Sequence, residues 1–256
     1  MLATIALLAL LGPVPDDAPG GAAPSKEELA AISGRGRGLA AYDRAVAFAN
    51  DAVFALAPAG RDVTRQVARR TDKGWVVAFG RLDKGRSTFL ITYEATEAGP
   101  ERFTAAKLDP PRPSTGFELT ASLAMDAALT DFLKSTPERR PYNVAALPAD
   151  GGKLWVYLVP APTKPGIWPL GGDVRYLVAG DGSTILEKRP LHATILDVAP
   201  SKDRPGAHAH VLSDRPEDTD VAHVLTREPA TAETVVTPAY VFTIKKDGSI
   251  EVAAKK

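Results

Sequence analysis

The stretch 75–96, WVVAFGRLDKGRSTFLITYEAT, contains two segments of alternating pattern joined by a turn. The segments 75–82 and 87–96 are rich in β-branched and aromatic residues, and the DKGR between them is typical of a turn. A third candidate strand, ERFTAAKLDPP (101–111), ends at two prolines. Together they predict an antiparallel β-meander.

A long helical segment precedes this meander. Ser25 and Glu28 have the spacing of a capping box, and helical spacing of apolar residues recurs from Leu39 to Leu56. GRGRG (34–38) lies between the two parts and is expected to interrupt the helix. It lacks the lysine-serine pair of a phosphate-binding loop and follows no strand, so it is not interpreted as one. The N-terminal half is therefore predicted to be a helix packed on a meander.

The rest of the chain alternates between helical and strand patterns. Apolar spacing predicts a helix over 119–134, and β-rich segments separated by turn residues predict further strands, with a second short helix over 217–225. These strands are expected at 142–147, 153–161, 173–180, 183–191, 193–199, 207–212, 233–244 and 249–252. The fold class is α+β, with an N-terminal helix and antiparallel meander followed by a mixed α/β half. The predicted division is a leader and linker over 1–24, a helix-meander domain over 25–113 and an α+β domain over 114–256.

The composition limits the classes of partner and chemistry. Lys+Arg and Asp+Glu number 31 each, so there is no net positive field to attract nucleic acid, and no nucleic-acid partner is expected. There is no cysteine, which excludes disulfides, thiolate zinc sites and cysteine nucleophiles. No G-x-S-x-G or G-x-G-x-x-G motif occurs in a strand-turn-helix context. The partner stays unknown, with a peptide or protein ligand as the open alternative.

The first residues suggest export. Leu2 to Leu11 is an apolar run of signal-peptide length, too short to cross ~30 Å of hydrocarbon, and small residues that a signal peptidase could cleave follow at 20–23. The alternative is a buried or frayed N-terminal helix, because no Lys or Arg precedes the run. Export to the periplasm or the extracellular space, without stable membrane insertion, is the favoured prediction.

One stretch concentrates the candidate chemistry. AHAHVLSDRPEDTDVAH (207–223) contains three of the four histidines of the chain. On a strand, His208 and His210 would project from the same face, and Asp220 could complete a three-ligand site for zinc. The alternative is a solvated loop and helix start, in which the acidic residues only complement the helix dipole. Thr219, Asp218 and His223 are the candidate residues around these ligands, although for His223 plain exposure on the helix is the favoured prediction. His192 is predicted to be partly buried and hydrogen-bonded outside the site.

The order of elements in GAHAHVLSDRPEDTDVAHVL and ETVVTPAYVFTIKKDGSI resembles the JAMM (JAB/MPN) metalloprotease-like family. The resemblance implies a JAMM-like C-terminal half in which two histidines and an aspartate bind zinc, an upstream glutamate is the general base and a serine stabilises the oxyanion. It covers about 45 residues closely. Val211 stands where the family has proline, Glu217 where it has serine, and Tyr142 and Asn143 where the glutamate is expected.

Two hypotheses of function follow from these features. The missing glutamate favours an exported binding or structural module that retains a metal site without activity. The triad His208, His210 and Asp220 favours the alternative, a zinc-dependent hydrolase of peptide or isopeptide bonds.

Overall fold

A computed structural model describes residues 23–57, 63–135, 140–199 and 204–254. The predicted leader therefore lies almost wholly outside the described residues. Over these ranges the protein has three α-helices and fourteen strands in the order α1 (Lys26–Leu56), β1 (Arg65–Thr71), β2 (Gly74–Leu82), β3 (Phe89–Gly99), β4 (Arg102–Ser114), α2 (Phe117–Ser135), β5 (Tyr142–Pro148), β6 (Leu154–Pro160), β7 (Trp168–Gly171), β8 (Val174–Val178), β9 (Ile185–Pro190), β10 (Ile195–Val198), β11 (Gly206–Ala209), α3 (Asp218–Thr226), β12 (Glu233–Val236), β13 (Tyr240–Ile244) and β14 (Ile250–Ala254). The predicted α+β class is confirmed.

The strands form four separate sheets. The first has the order β1-β2-β3-β4, in which β2, β3 and β4 are the predicted meander and β1 is a further strand that was not predicted. The second has the order β5-β6-β8-β9, and both sheets are antiparallel throughout. Strands β7 and β10 form a two-stranded antiparallel ribbon. In the fourth sheet, β11-β12-β13-β14, only the β11–β12 pair is parallel. β11 is therefore an edge strand, and its outer side pairs with no other strand of this sheet.

Two hydrophobic clusters hold these layers together. The larger one joins α1, the meander, α2 and the second sheet, with Phe79, Met125 and Tyr176 among its buried side chains. The smaller one joins the start of α1 to α3 and the fourth sheet, through residues such as Ile32 and Phe242. Helix α1 thus contacts both clusters and fixes α3 relative to the rest of the chain.

The expected break of the first helix at GRGRG is wrong, because α1 runs through residues 34–38 without interruption. Its glycine at position 36 meets α3: a Cβ there would lie 2.5 Å from both the Asp218 carbonyl oxygen and the Val221 Cβ. The two helices can approach this closely only because residue 36 has no side chain. The Arg37 Nε then donates to the Asp247 carbonyl at 2.8 Å, which ties α1 to the turn before β14.

Two other predicted boundaries differ. The third meander strand continues past Pro110 and Pro111 to Ser114, since β4 is an edge strand, where a missing N–H is tolerated. The segment 233–244 is two strands, β12 and β13, which pair antiparallel with each other around Pro238. Pro238 cannot donate to a strand ladder, which is consistent with a turn at this position.

Candidate metal centre

The His-x-His pair lies where the sequence predicts it. His208 is in β11, and His210 follows this strand directly. The His210 N–H donates to the Val236 carbonyl at 2.8 Å, so the pairing with β12 continues one residue beyond β11. The side-chain period of two directs both imidazoles to one face. Their side chains are 3% and 1% exposed, whereas the alternating residues Ala207 and Ala209 are exposed.

Asp220 lies in the first turn of α3 and is completely buried. Its Oδ2 accepts the Glu217 N–H at 2.7 Å, one of the N–H groups that the first turn of a helix leaves without a helical partner. The positive end of the helix dipole also favours a carboxylate here. The Asp220 carboxylate therefore complements the helix dipole, as the alternative hypothesis expects. Its other oxygen, Oδ1, is directed at the histidines.

His192 comes from a third part of the chain, the loop between β9 and β10. The Leu191 N–H donates to the Asp173 carbonyl at 3.0 Å, which fixes this loop against the start of β8. At Gly171, which has φ +82°, a Cβ would lie 2.3 Å from the Thr194 carbonyl oxygen, so the ribbon β7–β10 closes tightly only with glycine at this position. This close approach holds the His192 loop against β7.

These elements bring four donor atoms together. The His210 Nε2 lies 3.0 Å from the Nε2 of His192 and 3.0 Å from that of His208. The Asp220 Oδ1 lies 3.0 Å from the His192 Nε2 and 3.1 Å from the His208 Nε2, and the Oδ2 lies 3.2 Å from the His210 Nε2. One atom from each residue can be chosen so that all lie within 4.8 Å of one another.

The spacing fits a small transition-metal ion. Zinc–ligand distances of about 2.0–2.1 Å in a tetrahedron correspond to donor–donor distances of about 3.3–3.4 Å. Five of the donor–donor separations, at 3.0–3.2 Å, are within a few tenths of an ångström of these values. Three imidazoles and one carboxylate are also a ligand set that suits zinc, copper, iron or nickel better than magnesium or calcium.

Each imidazole is oriented from behind through its Nδ1. The Nδ1 of His192 lies 2.6 Å from the Asp173 Oδ1, that of His208 lies 3.0 Å from the Glu233 Oε1, and that of His210 lies 2.8 Å from the Arg215 carbonyl oxygen. A carbonyl oxygen only accepts, so the His210 Nδ1 is the donor. The same assignment at all three rings directs each Nε2 at the centre, as the hydrogen-bond partners of ligating imidazoles do in metal sites.

The charges of the site favour a cation at its centre. Burial disfavours the imidazolium form of His192, but the carboxylates of Asp173 and Asp220 outweigh this and raise its pKa to about 11. Burial likewise lowers the pKa of His208, and Asp220 and Glu233 raise it to about 9. Burial opposes the charged form of Asp220, yet the histidines hold the pKa of its carboxyl well below the ordinary value. Positive charge is thus stabilised here, whether it comes from protons or from a metal ion.

The predicted outer-shell residue Asp218 lies in a separate network. Its carboxylate accepts from Arg35, from the Tyr157 hydroxyl at 2.8 Å and from the Arg175 Nη1 at 2.7 Å. Asp218 is fully buried, and it ties the start of α3 to α1, β6 and β8. The structure describes no hydrogen bond between Asp218 and the four donors.

Thr219 and His223 lie on α3 and border a cavity of about 360 Å³ between α1 and the second sheet. His223 is buried, so the prediction that favoured exposure is wrong. The Thr219 Oγ1 and the His223 Nε2 have no hydrogen-bond partner in the described part of the chain. Burial, reinforced by the charge of Arg227, lowers the pKa of His223 to about 4, so its ring is neutral at pH 7.

A second cavity, of about 230 Å³, borders His192, His208 and His210 but not Asp220. It lies between the outer edge of β11 and the β7–β10 ribbon. Its other lining residues are apolar or small, and none of them is Asp, Glu, Lys or Arg. A small molecule could therefore approach the centre of the site from the side of the imidazoles.

The prediction of a partly buried, hydrogen-bonded His192 is confirmed, but the residue lies within the candidate metal site and not outside it. Pro190-Leu191-His192 has no ligand spacing relative to His208, and His192 joins the site through its approaches to His210 and Asp220, which lie far from it in sequence. Histidine is scarce in this sequence: the chain has four, and three of them meet at this site. That scarcity was the available signal for His192.

Comparison with known protein families, with curated proteins and with solved structures gives no match for this chain. Among the helices that the structure describes, none is long and apolar enough to cross a lipid bilayer.

Proposed function

We propose that this protein is a metal-binding module that holds one divalent transition-metal ion, with zinc as the first candidate, through His192, His208, His210 and Asp220. The observation that carries the proposal is the approach of Nε2 atoms to 3.0 Å while their Nδ1 atoms are engaged elsewhere. Nε2 atoms this close need a shared cation, and a metal ion can serve three imidazoles and a carboxylate at once, whereas a proton joins only two of them.

The surrounding residues support a site that keeps its shape without the ion. Asp173 lies at the β8 start, and Glu233 is buried and also accepts from the Arg227 Nη1 at 2.5 Å. Partners of this kind fix the orientation of a ligating ring, so little conformational entropy is lost when the ion binds.

The test is metal content after purification without added metal, combined with titration of the metal-free protein. We expect one ion per chain in the natural protein and loss of binding in His192→Ala and in His208→Ala/His210→Ala. His223→Ala is the matched control, because it removes a buried histidine that is not a donor. A His192→Ala variant that binds zinc like the natural protein, or a natural protein that binds none, would contradict the proposal.

A second candidate, a zinc-dependent hydrolase of peptide or isopeptide bonds, is favoured by the cavity beside the three histidines. Zinc can activate water as a nucleophile, and this cavity would admit a substrate. Against it, no described residue that lines the cavity is a carboxylate able to act as general base. The resemblance to the JAMM family also stays a proposal, and His192 is a donor beyond the two histidines and aspartate of that family. Peptide-library cleavage that a chelator abolishes would support the hydrolase; metal binding without turnover would support the binding module.

We further propose that the protein is exported, on the basis of the apolar run at residues 2–11 and the small residues after it. N-terminal sequencing of the protein recovered from its native host tests this: a mature chain that begins near residue 23 supports export, and a chain that begins at Met1 contradicts it.

A further inference from the structure

The cavity beside the three histidines combines two properties that together define a class of ligand. It meets the proposed ion on the imidazole side, because Asp220 is not among its lining residues. A ligand that enters the cavity would therefore add to the coordination sphere without displacing the carboxylate, as zinc sites that expand to five ligands allow.

The walls of the cavity are apolar. Leu170 and Leu196 line it from the ribbon, Leu191 from the loop before β10, and Val211 and Leu212 from the segment after β11. Apart from the three histidines, no lining side chain can carry a charge, so a charged ligand body against these walls would lose its hydration without gaining a partner. A cavity of about 150 Å³ is known to hold benzene, so about 230 Å³ accommodates a phenyl ring or a short alkyl chain.

The rim extends this apolar surface to solvent. Leu196, Val211 and Leu212 are 50%, 75% and 46% exposed, and they are three of the eight large hydrophobic residues that the described chain exposes most. Scattered exposed hydrophobic residues need no explanation, but three of them around one opening mark a place where an apolar group is covered on binding.

The charge of the donor set defines the head of the ligand. A divalent ion, three neutral imidazoles and one aspartate carry a net charge of +1, which a monoanionic head would neutralise. We propose that this cavity binds small monoanionic ligands with an apolar tail, such as medium-chain or aryl carboxylates, with the carboxylate on the metal ion and the tail against the leucine walls. This inference rests on the proposed metal site.

The test uses the full chain loaded with Co²⁺, whose visible absorption changes when a further ligand enters the coordination sphere. Three probes separate head from tail: acetate has the head alone, hexanoate has both, and hexanamide has the tail with a neutral head. Burial of four methylene groups predicts that hexanoate binds at least about tenfold more tightly than acetate. Hexanamide should leave the spectrum unchanged at concentrations where hexanoate saturates it.

Two matched variants locate the tail. Leu212→Ser should reduce the preference for hexanoate over acetate severalfold, because it removes an apolar wall. Leu186→Ser is the control, because Leu186 is similarly exposed, at 49%, but lies on β9 outside the cavity. Both sites are exposed enough for the variants to fold.

The outcomes separate the two proposals. If Co²⁺ does not bind, the metal site itself is wrong. If Co²⁺ binds but acetate and hexanoate have equal affinity, or neither changes the spectrum, the metal site stands and the ligand class is overturned. An equal spectral response to hexanamide overturns the monoanionic head, and an equal effect of both leucine variants overturns the location of the tail.

Discussion

The Asp220 carboxylate accepts the Glu217 N–H through Oδ2 at 2.7 Å and faces the Nε2 of His192 through Oδ1 at 3.0 Å. One side chain therefore begins helix α3 and completes the candidate metal site. The position of the helix and the geometry of the site depend on each other through this residue.

The double role of Asp220 predicts different outcomes for two substitutions. Asp220→Ala should abolish metal binding and lower the free energy of unfolding of the metal-free protein by at least about 1 kcal/mol, the usual value of a helix cap, because the buried His192 and His208 also lose their carboxylate. Asp220→Asn keeps an oxygen for the cap but loses the charge, so it should weaken the metal affinity while retaining more of that stability. Denaturant unfolding in the presence of chelator and metal titration measure the two effects. Equal stability of the two variants would contradict a capping role.

Asp173 and Asp218 are both buried aspartates, but we expect substitution of the first to lower metal affinity and substitution of the second to lower stability. Asp173→Asn should reduce metal affinity about 10- to 100-fold, because it weakens the partner that orients His192. Asp218→Asn should leave metal affinity nearly unchanged but destabilise the fold by a few kcal/mol, since Arg175 would remain buried without its carboxylate. The comparison of metal titration with denaturant unfolding also tests the predicted outer-shell role of Asp218. A large loss of affinity in Asp218→Asn would support that role.

The packing of α1 on α3 predicts opposite signs for two glycine substitutions. Gly36→Ala should destabilise by about 1–3 kcal/mol, because its Cβ would overlap the Asp218 carbonyl oxygen and the Val221 side chain. Gly34→Ala, two residues earlier in the same helix, meets no atom within 4 Å and should stabilise by up to about 1 kcal/mol. Thermal or denaturant unfolding of both variants checks this. Stabilisation by Gly36→Ala would show that the two helices are further apart than described.

The buried ring of His223 predicts a pH dependence of stability in the acid range. Its folded pKa of about 4 is below the unfolded value of about 6.5, so between these pH values the unfolded chain binds a proton that the folded chain does not. Stability therefore falls as the pH falls from about 6.5 toward 4, by about 2 kcal/mol between pH 6.5 and 5 from this group alone. The measurement is denaturant unfolding of the metal-free protein at both pH values.

The control for this prediction is His223→Gln, which cannot titrate. Whatever its stability at pH 6.5, the variant should lose less stability than the natural protein over the same pH interval. An identical loss in both proteins would show that the His223 ring is protonated or exposed in the folded state.

The sequence was informative wherever a local pattern decides the structure. Alternation and turn residues predicted β2 and β3, the capping box predicted the start of α1, and the period of a strand predicted that His208 and His210 share a face. These features depend on neighbours within a few residues, which a single sequence displays directly.

The remaining features depend on contacts between distant segments. GRGRG has the composition of a helix break, and only the approach of α3 explains a glycine inside a continuous helix. His192 and Asp173 become parts of the site because the β7–β10 ribbon lies beside β11. No periodicity in the sequence encodes that pairing, and the donor set was therefore predicted with three members instead of four.

The four donors belong to a loop, an edge strand and a helix start that share no backbone ladder with one another. An ion held among them would act as a removable cross-link between three parts of the chain, and its binding energy would add to the stability of the folded state. The lifetime of this protein against proteases would then rise and fall with the free metal concentration around it, so that its abundance would record how much metal the compartment supplies.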